Sequence, residues 1–66
     1  MQIKVETDED VMDLEMEEGS TVEAALEEVG INPETVLVER KGEVISESEE
    51  LKDKDWIKTV SVVSGG

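Results

Sequence analysis

Apolar and polar residues alternate strictly at the start of this chain, in Gln2-Ile3-Lys4-Val5-Glu6 and again in Met12-Asp13-Leu14-Glu15-Met16. A period of two marks strands buried on one face. The polar segment Thr7-Asp8-Glu9-Asp10 between them reads as a turn. The two segments therefore predict a hairpin with Ile3, Val5, Met12, Leu14 and Met16 on its inner side. The period then changes. Glu17-Glu18-Gly19 ends the second strand, and Ser20 with Glu23 three residues on predicts a capping box at the start of a helix. Val22, Ala25, Leu26 and Val29 recur at i, i+3, i+4 and i+7, while Glu23, Glu27 and Glu28 fall away from that stripe. Gly30 supplies a left-handed stop, and Pro33 prevents the helix from resuming.

Thr35-Val36-Leu37-Val38-Glu39 is β-branched and apolar, which predicts a more fully buried strand. Lys41-Gly42 reads as a hairpin turn into a short strand at Val44-Ile45. Ser46 to Glu50 contains no apolar residue and is expected to be an exposed loop, with Leu51 plugging the core beneath it. Asp53-Lys54-Asp55 turns the chain into a last strand from Trp56 to about Val63. The order is strand, strand, helix, strand, strand, strand. It predicts an α+β fold, a mixed sheet of about five strands with one helix packed on one face. A right-handed crossover lets the last strand lie between the first and the third, parallel to the first.

At 66 residues the chain is one small domain, near the lower limit at which a single core suffices without staples. Cys and His are both absent, which removes disulfides, thiolate nucleophiles, zinc sites and the usual general base. The apolar runs are three residues at most, and no segment of signal-peptide length opens the chain, so a soluble cytoplasmic protein is expected. Nineteen acidic residues against six basic ones give a net charge of −13. That charge excludes nucleic acid and anionic membranes as partners and makes a basic protein the natural complement; solubility, or a salty cytoplasm, accounts for it equally well. Asp8-Glu9-Asp10 lacks the alternating oxygens, glycine and distal glutamate of a calcium loop, so no metal is expected there. It reads as a solvated turn, as do Glu47, Glu49 and Glu50. Nothing suggests a cleft that would make a working acid–base pair of two carboxylates.

The chain closes on Gly65-Gly66. With no Cys, no His and no enzyme-sized pocket expected, the terminal carboxylate is the candidate reacting group.

With these elements in place, the sequence resembles the ubiquitin-like β-grasp family, and within it the sulfur carriers of thiamine and molybdopterin synthesis and the small archaeal modifier proteins. The likeness is carried by Gly19-Ser20-Thr21-Val22, Lys41-Gly42-Glu43-Val44-Ile45, Leu51-Lys52-Asp53-Lys54-Asp55 and Val62-Val63-Ser64-Gly65-Gly66. It spans the whole chain. Two positions depart from the family pattern: Lys54, where glycine is common, and Arg40, where an apolar residue is common. The resemblance implies a β-grasp domain over residues 1–63 and a flexible diglycine tail at 64–66. It implies a substrate and carrier, not an enzyme. Gly66 would be adenylated by an E1-like activating enzyme that uses ATP, no cofactor being bound by the chain itself. Sulfur would then displace AMP to give a thiocarboxylate for a sulfurtransferase or synthase subunit. Gly65 would give access to the activating enzyme's channel, since a residue without Cβ fits where others do not. Two alternatives remain open: isopeptide attachment to protein lysines, and a non-covalent ubiquitin-fold interaction module with an inert tail. A monomer is expected.

One further site follows from register. If Ile57 and Thr59 face inward, Trp56, Lys58 and Val60 face outward; if Val36 and Val38 face inward, Leu37 faces outward. Leu37 and Val60 would then form a partner-docking patch near the tail. The opposite register, or a bulge, places both in the core, and the pattern alone permits either. Trp56, the sole aromatic residue, is expected to bury its ring against Leu51.

Overall fold

The computed structural model describes residues 1–62. Strand β1 (Gln2–Glu6) pairs antiparallel with β2 (Val11–Glu15), placing Ile3 opposite Leu14 and Val5 opposite Met12. The intervening turn is closed by Thr7, whose Oγ1 accepts from the amides of Glu9 and Asp10. After helix α1 (Val22–Glu28) and a single 3₁₀ turn at Pro33–Thr35, strands β3 (Val36–Arg40) and β4 (Glu43–Ile45) form the second hairpin. Strand β5 (Trp56–Ser61) lies between β1 and β3, parallel to the first and antiparallel to the second. The sheet order is β2-β1-β5-β3-β4, the expected mixed topology. Together the sheet and helix make a ubiquitin-like β-grasp.

The core is the layer between the sheet and α1. Ile3, Val5, Val22, Ala25, Leu26, Val38, Leu51 and Ile57 are buried there, and Leu14, Val29, Val36 and Ile45 pack around them. Leu51 plugs the core as expected. Thr59 is also buried, and its Oγ1 donates to the Glu6 carbonyl at 3.2 Å, so the one buried polar side chain of β5 carries no unmet hydrogen bond.

The helix begins differently from expectation. Its N-cap is Thr21, whose Oγ1 accepts from the Ala24 amide at 3.4 Å. Ser20 is spent elsewhere, its hydroxyl donating to the Glu17 carbonyl at 2.6 Å. The next two free amides, on Val22 and Glu23, donate to the carbonyls of Glu49 and Glu47 at 3.0 and 2.9 Å. Residues 46–50 are thus exposed in their side chains, as expected, but their backbone caps the helix in place of a reciprocal Ser20–Glu23 box. At the other end Gly30 takes φ +78, and the Ile31 amide reaches back to the Leu26 carbonyl at 2.8 Å, the 6→1 bond of a Schellman stop.

Strand β3 is not more fully buried than its neighbours. Only Val38 is buried, while Leu37 is exposed and Val36 is partly covered. The strand packs on the core with one face, so its β-branched run reflects strand preference and not two-sided burial. Strand β5 ends at Ser61, short of the expected extension, with Val62 outside it. Val63, and the boundary between a 1–63 domain and a 64–66 tail, lie outside the described residues.

Candidate functional site

The sheet has one face under α1 and one face that no described element covers. Alternation along the strands sends Gln2, Lys4 and Glu6 of β1 to that outer face, with Val11, Asp13 and Glu15 of β2 opposite them. The outward residues of β5 are Trp56, Lys58 and Val60; beside them stand Leu37 and Glu39 of β3, and Val44 of β4. Strand β5 therefore has the register in which Ile57 and Thr59 point inward and Val60 outward. Leu37 is 46% exposed, and its cross-strand partner is Val60, itself partly covered. The two residues of the predicted patch are thus brought together. Val62 is exposed just beyond them, held to the last strand's path by its amide, which donates to the Thr35 carbonyl at 3.1 Å.

A band of charge crosses the middle of this face. Glu39, Lys58 and Glu6 stand side by side on β3, β5 and β1, with Val44 and Val11 at the two ends of the row. Below the band stands Trp56. The residue is 51% exposed and not buried against Leu51, because parity sends Ile57 into the core and Trp56 out. The indole Nε1–H donates to Glu6 Oε1 at 3.0 Å, and the Lys4 ammonium sits 5.7 Å from the ring centre while pairing with Asp13 at 2.8 Å. Sequence reasoning missed this cluster, although the same parity argument that exposed Val60 also exposes Trp56. Val11 and Val44 were likewise missed as exposed apolar residues.

Gly65 and Gly66, the predicted access and attachment residues, lie outside the described residues. Among the described residues no group of three acidic side chains is placed to hold a metal ion, and no helix is long and apolar enough to cross a membrane.

This geometry, a β-grasp with an uncovered apolar patch beside the departing last strand, can be set beside known proteins. Residues 3–66 match the ThiS family. The chain belongs to the ThiS family. This ThiS-family chain is 33% identical over 54 residues to the sulfur carrier protein TtuB of Thermus thermophilus, spanning 82% of the chain and 83% of that protein. Two solved structures share its fold. Caldiarchaeum subterraneum ubiquitin superposes with a TM-score of 0.77 at 23% identity, covering 100% of the chain and 98% of that structure. SAMP1 from Haloferax volcanii superposes with a TM-score of 0.77 at 20% identity, covering 100% of both. The curated relative is a sulfur carrier, and the two solved structures show the shared fold. Members of the family are carriers and not catalysts, and they work with activating enzymes and sulfurtransferases.

Proposed function

We propose that this chain carries sulfur on the carboxyl group of Gly66. An E1-like activating enzyme brings that carboxylate to ATP; its oxygen attacks the α-phosphorus, the bond to pyrophosphate breaks, and an acyl adenylate forms. Sulfide then attacks the acyl carbon, the bond to AMP breaks, and a C-terminal thiocarboxylate remains for delivery by a sulfurtransferase or synthase subunit. Activation is needed because a free carboxylate resists nucleophiles and has no competent leaving group. Glycine at positions 65 and 66 suits a narrow channel and leaves the last carbonyl open. ATP is the activating enzyme's substrate, the chain itself holding no cofactor, and the setting is the cytoplasm.

The observation that carries this reading is the ThiS-family match running through residue 66. The relative named a sulfur carrier favours sulfur delivery over isopeptide attachment to protein lysines. The pairing of Leu37 with Val60 supports a docking role for that patch. From Val60 the chain has six residues to Gly66, a reach of about 20 Å at about 3.3–3.6 Å per residue, so a partner seated on the patch has the carboxylate within reach.

The test is to incubate the protein with ATP, sulfide and its activating enzyme and to weigh it intact. Replacement of one oxygen by sulfur, abolished by deleting Gly66, is expected. An unchanged mass, with no functional effect of deleting Gly65-Gly66, would leave an interaction module with an inert tail. A ladder of adducts in native cells that vanishes with the same deletion would instead mark a protein modifier.

A further inference from the structure

The outer sheet face carries a second site, separate from the Leu37–Val60 patch. Trp56 opens β5, and four residues at about 3.3 Å each put it about 13 Å from Val60, with Lys58 between them on the same face. It borders an open depression of about 580 Å³ lined also by Gln2, Lys4, Asp13, Glu15 and Lys54. The only aromatic side chain of the protein is half-exposed there, in a fold whose core consists of aliphatic residues. Its ring is pinned at the edge by Glu6 and flanked by Lys4, and Lys4 is in turn held by Asp13. An oriented, solvent-facing indole costs little further ordering when a partner meets it, which suits it to be a binding anchor.

We propose that this site binds an arginine-bearing segment of a basic protein, independently of the diglycine tail. Two features select this occupant. The field of a chain with net charge −13 draws in basic partners and repels acidic ones. Locally, the chain already keeps a cation in the site: the Lys4 ammonium lies within cation–π range of the ring and in contact with the Asp13 carboxylate. A guanidinium fills that role better, because it stacks flat on an indole and takes a carboxylate through two parallel N–H bonds. Lys4 is half-exposed and free to swing into solvent as the arginine arrives. Lys4 is therefore a built-in competitor for the site. Lys54, at the rim, makes no ion pair among the described residues. It sets a modest repulsion that the field of the whole chain outweighs.

The competitor role gives the test its sign. Isotope-labelled protein is titrated at low salt with a blocked Gly-Arg-Gly-Arg-Gly peptide and with matched lysine and glutamate peptides, while amide and indole resonances are followed. The arginine peptide is expected to shift the Trp56 indole and the Lys4 and Asp13 amides, more strongly than the lysine peptide. Asp13→Asn should weaken that binding about three- to fivefold, and Lys4→Gln should strengthen it by a similar factor. Deleting Gly65-Gly66 should leave it unchanged, so the result stands or falls apart from the sulfur-carrier reading. Three outcomes would overturn the proposal: shifts confined to the acidic helix face around Glu23, Glu27 and Glu28, weakened binding in Lys4→Gln, or a glutamate peptide being the one that moves Trp56.

Discussion

Arg40 and Asp55 join the second hairpin to the start of the last strand: Nη1 of Arg40 donates to Oδ2 of Asp55 at 3.0 Å, with both side chains largely shielded from water. Arg40 also reaches the Glu50 carbonyl and the Glu49 carboxylate, each at 3.4 Å, while Asp55 accepts from the Lys52 amide at 2.8 Å. One guanidinium therefore holds down residues 49–55, and the Glu49 carbonyl in turn caps α1 by accepting from the Val22 amide. Arg40→Ala should destabilise the fold by roughly 1.5–3 kcal/mol, since it strands a shielded carboxylate as well as losing the bonds. Arg40→Met, which restores apolar contact but not the bonds, should lie between the two. Urea denaturation of the three proteins measures this, and an Arg40→Ala midpoint equal to wild type would refute the clamp.

Lys54 adopts φ +69 in the turn before β5, where a side chain is strained. Its amide donates to the Gln2 carbonyl at 2.6 Å, which fixes the turn against β1 and prevents it from relaxing. The left-handed conformation costs a non-glycine residue about 1–2 kcal/mol, while glycine gives back about 0.5–1 kcal/mol through the freer unfolded chain. Lys54→Gly should therefore stabilise by up to about 1 kcal/mol, and Lys54→Ala should not. Thermal unfolding of the pair separates backbone relief from removal of the charge, because only the latter is common to both.

The β-grasp topology was legible because Ile3, Val5, Leu26 and Ile57 repeat at the periods of their elements, and a right-handed crossover leaves one natural place for β5. What escaped was tertiary. Ser20 and Thr21 are adjacent and both suit a cap; which one serves depends on the carbonyls of Glu47 and Glu49, more than twenty residues away in sequence. The β-branched run of β3 looked two-sided because propensity does not report which faces are covered. Of the candidate site, parity tied Leu37 outward to Val36 and Val38 inward, and Val60 and Trp56 outward to Ile57 and Thr59 inward, but left the register open until the strand pairing fixed it. Trp56 was nonetheless expected in the core because its ring is large and apolar.

The α-amino group of Met1 donates to Glu15 Oε2 at 2.9 Å and to the Met16 carbonyl at 2.7 Å, fastening the start of β1 to the end of β2. The hydrogen bond that the amine donates to Glu15 is the main cause that raises it above its ordinary value of 8.0, with burial opposing it. The folded state thus holds this proton more tightly than the unfolded state. Its contribution is complete below pH 8.0 and is lost as pH rises through the raised value. Glu15→Gln should lower the melting temperature below pH 8.0, and the gap from wild type should close on alkaline titration. A gap that stays constant across that range would assign the loss to something other than the charged pair.

Leu37 faces solvent on β3 with Val60 as its cross-strand partner, and neither belongs to the buried core. Exposed apolar residues paired on adjacent strands contribute little to folding when one of them becomes charged, but a carboxylate pressed into an apolar interface is costly. Leu37→Glu should therefore shift the unfolding midpoint by no more than about 0.5–1 kcal/mol. The same change should weaken the complex with the activating enzyme at least tenfold, about 1.4 kcal/mol, since Glu39 on the same face already adds negative charge nearby. Circular dichroism checks the first expectation and isothermal calorimetry with the activating enzyme checks the second. Val60→Ala, which shortens the partner without adding charge, should weaken binding less. A mutant that unfolds at room temperature would return Leu37 to the core and remove the patch from the account; a folded mutant with undiminished binding would place the enzyme's footprint elsewhere on the sheet.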